Sequence, residues 1–340
     1  MKLFQHGGDI YKFAKDLDCK VDEIIDLSSN INFLKPTLSF DFNTLKIDNY
    51  PNYNSLYNSL ASLYKIQNTQ LEIFNGATSA IFSFFHSISN INCNIYSPAY
   101  LEYKKASSIF NKQLNIINRF ININQNVIPN SIVIFVNPST PDGTFYNIED
   151  MLEYWDKQNC IVLVDESFLD FTNYKSAIEY INRYKNLYIL KSLTKFYSCA
   201  GVRVGVIISS KQNIDKLKVY EPLWKISQFD SVYIQEVLKD KNFSHITKVT
   251  NIVNKEYLYK ILTNSSLFKN FIVSEANFVL AQLDKLTAKE FQQKLKIYKI
   301  MVRDCSNFDF LDEKYVRIAI KNLDSLKLFE KAIKKIEEVV

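Results

Sequence analysis

Two residues in this sequence, Asp165 and Lys195, are of types whose chemistry depends on what stands beside them. Asp165 closes the apolar run VLVDE, where an ionised carboxylate is costly unless a cation accompanies it. Lys195 follows the next apolar run, in SLTK. Either residue alone reads as a capping aspartate or a solvated lysine. At the ends of neighbouring strands the two suit one chemistry. A lysine forms a Schiff base with pyridoxal phosphate, while an aspartate keeps that cofactor's ring nitrogen protonated. A phosphorylated cofactor also needs anion donors. Gly76-Ala77-Thr78-Ser79 opens a helix after a strand and offers backbone N–H groups at the positive end of the helix dipole. Arg203, eight residues beyond Lys195, suits bidentate contact with the same phosphate. Thr194 adds a hydroxyl, and Tyr100, two residues past Pro98, has a ring to lay on the pyridine face.

The elements that must position these residues are legible as short apolar runs. LEIF (71–74), NIYS (94–97), SIVIFV (131–136), CIVLVD (160–165), LYILKS (187–192) and VRVGVIIS (202–209) read as buried strands of a largely parallel sheet. Helix candidates begin at Thr78, Leu101, Ile148 and Ala177. Strand and helix in alternation predict an α/β domain of three layers, with helices on both faces of the sheet. Such sheets place ligands outside the carboxyl ends of their strands. The polar motifs NGATS, SPAY, NPSTPDG, DES and SLTK each follow one of these strands, so they converge on one crevice.

From about Gln212 the texture changes. Helical spacing dominates 229–264, NFVLAQLD (277–284) and KYVRIAI (314–320) read as strands, and helices are expected over 287–296 and 324–338. The expected division is an arm over 1–36 that closes the site and joins the small domain, a large cofactor-binding domain over 37–235, and a small α+β domain over 236–340.

Composition narrows the function classes. Of 340 residues, 47% are hydrophobic and 23% charged, enough for a sizeable core, and the net charge of +5 is spread in alternating Lys and Glu rather than gathered in a basic block. That argues against a nucleic-acid or membrane-surface partner. No apolar run reaches membrane-spanning length, and MKLFQHGGDIYKF lacks the apolar stretch of a secretion signal. Cys19, Cys93, Cys160, Cys199 and Cys305 are odd in number and far apart, without CxxC; they read as buried small hydrophobes in a cytoplasmic protein. His86 and His245 have no partners at metal-ligand spacing, so no metal is expected. No GxGxxG follows a strand, which excludes a nicotinamide site. Only six glycines remain in the chain, in four clusters, and each invites a backbone explanation. Tyr103, Trp155 and Trp224 read as packing residues.

HGGDIY (6–11), DLSSNIN (26–32), NYPNY (49–53), NGATSAI (75–81), SPAYLEY (97–103), NPSTPDG (137–143), VDESFLDF (164–171), SLTKFYSCAGVRVG (192–205) and VRDCSNFDFL (302–311) together resemble the fold-type I pyridoxal-phosphate enzymes. Within them the chain is most similar to the branch of threonine-phosphate decarboxylases and histidinol-phosphate aminotransferases. The resemblance covers nearly the whole chain. It implies Lys195 as the Schiff-base lysine, Asp165 as the pyridinium partner, and Ala77, Thr78, Thr194 and Arg203 as phosphate ligands, with Tyr100 stacking on the ring. It implies a homodimer with shared sites, because Tyr50 matches a tyrosine that reaches the neighbouring subunit's phosphate. Arg303 and Arg317 match the arginines that receive substrate anions, and His6 and Asn30 match residues that close over the substrate. Two positions depart from the pattern: Thr140 stands where an asparagine bonds the cofactor's phenolic oxygen, and Phe168 where aminotransferases carry a tyrosine for that oxygen.

The expected reaction is α-decarboxylation of an O-phosphorylated hydroxy-amino acid, threonine phosphate or serine phosphate. The alternatives are transamination of the histidinol-phosphate type and a catalytically idle cofactor-binding sensor. Two arginines plus a histidine serve a dianionic phosphate better than a lone carboxylate needs.

Overall fold

The computed structural model describes residues 8–339. Its central sheet has seven strands: β2 (Leu71–Asn75), β3 (Asn92–Ser97), β4 (Gln113–Asn118), β5 (Ile132–Val136), β6 (Ile161–Asp165), β7 (Leu187–Ser192) and β8 (Val204–Ser209), preceded in the chain by a two-residue strand β1 (Ile25–Asp26). The order across the sheet is β2-β8-β7-β6-β5-β3-β4. β8 runs antiparallel to both neighbours, β2 and β7, while the remaining pairs are parallel. Strands β2, β3, β5, β6 and β7 therefore point the same way, and the loops at their carboxyl ends share one edge of the sheet. Arg203, at the start of β8, joins that edge because Val204 pairs with Asn75 and Gly205 with Ser192.

Successive residues of each central strand enter opposite cores, as the pleat requires. Val133, Phe135, Val162, Val164 and Ile189 pack on one face, with Leu56, Leu60, Leu152, Trp155 and Ile234 from covering helices. Ile132, Ile134, Leu163 and Leu190 pack on the other, against Ile81, Phe84 and Phe85 of the helix Gly76–Ser87 and Ala106 of the helix Glu102–Ile109. This is the three-layer α/β architecture of the fold-type I enzymes.

A second sheet comprises β9 (Phe268–Phe271), β10 (Phe278–Leu283), β12 (Arg303–Asp304) and β13 (Tyr315–Ala319), antiparallel in the order β12-β13-β10-β9. Its core, from Val279 to Phe329, lies against helices Ala288–Lys296 and Leu323–Glu337. The first of these starts at a capping box between Thr287 and Glu290. The N-terminal segment joins this sheet's side: β1 pairs in parallel with β11 (Ile300–Met301), and Ala319 donates its N–H to the Leu27 carbonyl at 2.7 Å. No helix among the described residues is long and apolar enough to cross a membrane.

Two sequence expectations need correction. The stretch at Ala177 is one 3₁₀ turn, Ala177–Tyr180, not a helix; Glu166 takes the Ala177 N–H at 2.7 Å, so the segment serves as a clasp on the β6 loop. β4 was not expected at all. QLNIIN is polar and half-exposed because it lies at the sheet's edge, pairing with β3 alone, so it lacks the apolar run that marks its neighbours.

Candidate active site

Asp165 ends β6 and is buried. Its carboxylate accepts two hydrogen bonds, from the Tyr103 hydroxyl to Oδ2 at 2.7 Å and from the Ser167 N–H to Oδ1 at 2.9 Å. Both donors are neutral and the side chain lines an open cavity, so a cationic N–H arriving there would find a carboxylate able to hold it.

Lys195 lies on a single helical turn, Leu193–Phe196, directly after β7. The N-terminal segment clamps that turn. Asn32 donates its N–H to the Lys195 carbonyl at 3.0 Å and its side-chain amide to the Phe196 carbonyl at 2.9 Å, and Ser198 Oγ donates to the Asn32 carbonyl at 2.7 Å. Burial lowers the Lys195 pKa, and the positive charges of Arg317 and Arg203 push the same way; Asp165 opposes them. The amine thus loses its proton more readily than a free lysine, as a nucleophile requires. Its nitrogen sits 4.9 Å from the centroid of the Phe168 ring.

The third element is an anion cradle. Gly76, at φ +79°, opens the twelve-residue helix Gly76–Ser87. A Cβ there would collide with the Arg203 guanidinium, and one at Gly205 would collide with the Ala77 backbone. Glycine at these two positions is what lets the arginine and β8 close on the helix's N-terminus. Thr78 and Tyr100 hydroxyls lie 3.4 Å apart, and those of Ser192 and Thr194 lie 3.0 Å apart. Backbone N–H groups, hydroxyls and a guanidinium around one helix start are the donor set a phosphate needs. The buried carboxylate, the amine and this cradle together fit pyridoxal phosphate.

Two more arginines line the same cavity. Arg317, on β13, donates from Nη1 to Thr140 Oγ1 and from Nη2 to the Ser28 carbonyl, both at 3.1 Å, while its buried Nε has no partner among the described residues. Burial brings its pKa down to about 10. Arg303 pairs directly across the ladder with Arg317 and donates to the Asp304 carbonyl at 2.6 Å and to Asn307 Oδ1 at 2.8 Å. Asn30 is buried, its Oδ1 without a partner among the described residues, and its own carbonyl is held by the Asn277 side-chain amide at 2.8 Å.

Asn30, Ala77, Thr78, Tyr100, Thr140, Asp165, Thr194, Lys195, Arg203, Arg303 and Arg317 all line one cavity of about 340 Å³. Tyr50 does not. It is 75% exposed on the outer surface, stacked on Trp224 with ring centroids 4.0 Å apart. His6 lies outside the described residues. Sequence reading missed Asn32, and took Tyr103 for packing although it stands three residues after Tyr100, on the same side of a helix start.

The pattern that defines the aminotransferase class I and II family matches residues 41–336. The chain belongs to that family. With membership comes its cofactor: this is a pyridoxal-phosphate-dependent class I/II enzyme. An adenosylcobalamin biosynthesis bifunctional protein of Leptospira interrogans is 29% identical over 96% of this chain, which spans only 40% of that protein's length. A Caldanaerobacter subterraneus protein named for threonine-phosphate decarboxylase is 27% identical, covering 97% of this chain and 93% of its own. An L-serine phosphate decarboxylase of Campylobacter jejuni is 28% identical over 96% of this chain and 92% of its own. Among solved structures, a histidinol-phosphate aminotransferase from Clostridium acetobutylicum superposes with a TM-score of 0.83 at 26% identity, covering 93% of this class I/II enzyme and 99% of itself.

Proposed function

We propose that this enzyme removes the α-carboxyl group of an O-phosphorylated hydroxy-amino acid, threonine phosphate or serine phosphate, releasing CO2 and the amino-alcohol phosphate. The observation that carries the reading is the Arg303–Arg317 pair. Two guanidinium groups in direct cross-strand register repel each other unless anions lie between or beside them. A phosphorylated amino acid brings two anions, a carboxylate and a phosphate. The named activities of the Caldanaerobacter and Campylobacter relatives support the same substrate class.

Bound pyridoxal phosphate supplies the electron sink for the bond broken at Cα. The chain's residues do the rest. Ala77 and Thr78 backbone, Thr194 and Arg203 would hold its phosphate, Tyr100 would cover its ring, and Asp165 would keep a proton at its nitrogen. Thr140 Oγ1 accepts from Arg317, which leaves its own proton free, and it would donate that proton to the phenolic oxygen, the job an asparagine does in the wider pattern. Arg317, Arg303 and Asn30 orient the substrate, and that orientation selects which Cα bond breaks. Lys195 Nζ, once released, would take up the proton that the substrate's ammonium group gives up, and as an ammonium would return it to Cα where CO2 has left.

The same reading includes a cytoplasmic homodimer, with Tyr50 reaching the neighbouring subunit's phosphate, and the three-part division 1–36, 37–235 and 236–340. Its test is a headspace CO2 assay on threonine phosphate and serine phosphate, run beside histidinol phosphate with 2-oxoglutarate. CO2 without glutamate is the expected outcome. Glutamate without CO2 would make the enzyme an aminotransferase, as the Clostridium neighbour is named.

A further inference from the structure

Tyr103 has no hydroxyl duty in the core around it. Its surroundings are apolar side chains such as Ala99, Ala106 and Ile134, and phenylalanine would fill that space equally well. The hydroxyl instead crosses to Asp165 Oδ2 at 2.7 Å, from a side chain wholly removed from solvent. Burial, and then the neighbouring Asp165, push the phenol's pKa well upward, so Tyr103 donates its proton and does not compete for another. The ring also meets Tyr100 edge-on, with centroids 6.3 Å apart, so one helix start carries both the residue over the cofactor plane and the one behind the acid.

A hydrogen bond donated to a carboxylate oxygen draws charge from it and weakens its hold on any proton it shares. Asp165 has two such donors, the Ser167 N–H and Tyr103. The first is backbone and cannot be removed by substitution; the second is a single oxygen atom. We propose that Tyr103 is a positioning residue for cofactor protonation: its donated hydrogen bond keeps the proton shared by Asp165 and the cofactor ring on the ring nitrogen rather than on the carboxylate. This rests on the assignment of Asp165 as the ring-nitrogen partner. Without the donor the proton passes to Asp165 Oδ2, leaving a neutral carboxylic acid facing a neutral ring, and the electron sink is weakened.

The test is the ring-nitrogen chemical shift of holoenzyme reconstituted with ¹⁵N-labelled cofactor, in the wild type and in Tyr103→Phe. The wild type is expected to show a protonated ring nitrogen. Tyr103→Phe moves the signal toward unprotonated pyridine, with the proton's distribution changed by roughly tenfold, the equivalent of one pKa unit, and kcat falls while KM holds. A second variant guards against misfolding. Replacement of Tyr103 by 3-fluorotyrosine keeps the shape and makes a stronger donor, so it holds the signal at or beyond the wild-type position and retains kcat. If Tyr103→Phe folds, binds cofactor and leaves the ring signal and kcat unmoved, Tyr103 is a packing residue and the inference is overturned. An unprotonated ring in the wild type itself would instead overturn the role given to Asp165.

Discussion

Arg303 and Arg317 face each other as register partners on β12 and β13, two guanidinium groups on one wall of the cavity that also holds Lys195. Like charges directly opposed across a ladder destabilise the free protein. Arg303→Gln is therefore expected to raise the melting temperature of the unliganded enzyme, while lowering kcat/KM on the phosphorylated amino acid by roughly 100-fold, the worth of a charged hydrogen bond of about 3 kcal/mol. Calorimetry and steady-state kinetics on one preparation check both signs. A fall in both quantities would mean that Arg303 is structural.

Thr140 accepts a hydrogen bond from Arg317 at 3.1 Å. Thr140→Val keeps the shape and removes the acceptor, leaving a buried guanidinium with one fewer partner. The expected loss is about 1.5–3 kcal/mol, roughly 10–100-fold in kcat/KM, with cofactor affinity less affected than substrate turnover. Equilibrium dialysis of the cofactor beside kinetic constants separates the two.

Gly76→Ala puts a methyl group where the Arg203 guanidinium now rests, at a φ of +79° that side chains resist. Cofactor affinity should fall because the methyl displaces the Arg203 guanidinium from the cradle, while the backbone strain, about 1–2 kcal/mol, is lost from stability. Fluorescence titration of the cofactor-free protein measures it. Gly205→Ala, whose methyl meets the Ala77 backbone rather than a side chain that can swing away, should lose folded protein instead.

The Lys195 amine is kept easy to deprotonate chiefly by burial, with help from Arg317 and Arg203 and opposition from Asp165. A lowered pKa means that the neutral, reactive amine persists at lower pH than in free lysine. In the cofactor-free protein, Arg317→Leu removes a cation and should move the acetylation profile of Lys195 to higher pH. Asp165→Asn removes an anion and should move it to lower pH. Peptide mass spectrometry across a pH series reads both shifts.

Much of this was open to sequence reading because each strand of the parallel sheet ends in a polar motif, and a parallel sheet gathers those ends on one edge. NGATS, NPSTPDG, DES and SLTK needed no structure to be brought together. What escaped was whatever depended on contacts across the chain. Tyr103 looks like any core aromatic until β6 is laid beside its helix. Asn32, 163 positions from Lys195 in the chain, gives no local sign that it clamps the lysine's turn. β4 hid because an edge strand buries too little to show a pattern. Tyr50 points away from its own cavity onto Trp224, a placement that a single chain's pattern cannot express.

Reduction of the holoenzyme with borohydride, followed by digestion and peptide mapping, asks most directly whether Lys195 carries the cofactor. A pyridoxyl-phosphate mass on the peptide that contains Lys195, absent in Lys195→Ala, is the predicted result. The same mass on Lys191 or any other lysine, or on none, would contradict it.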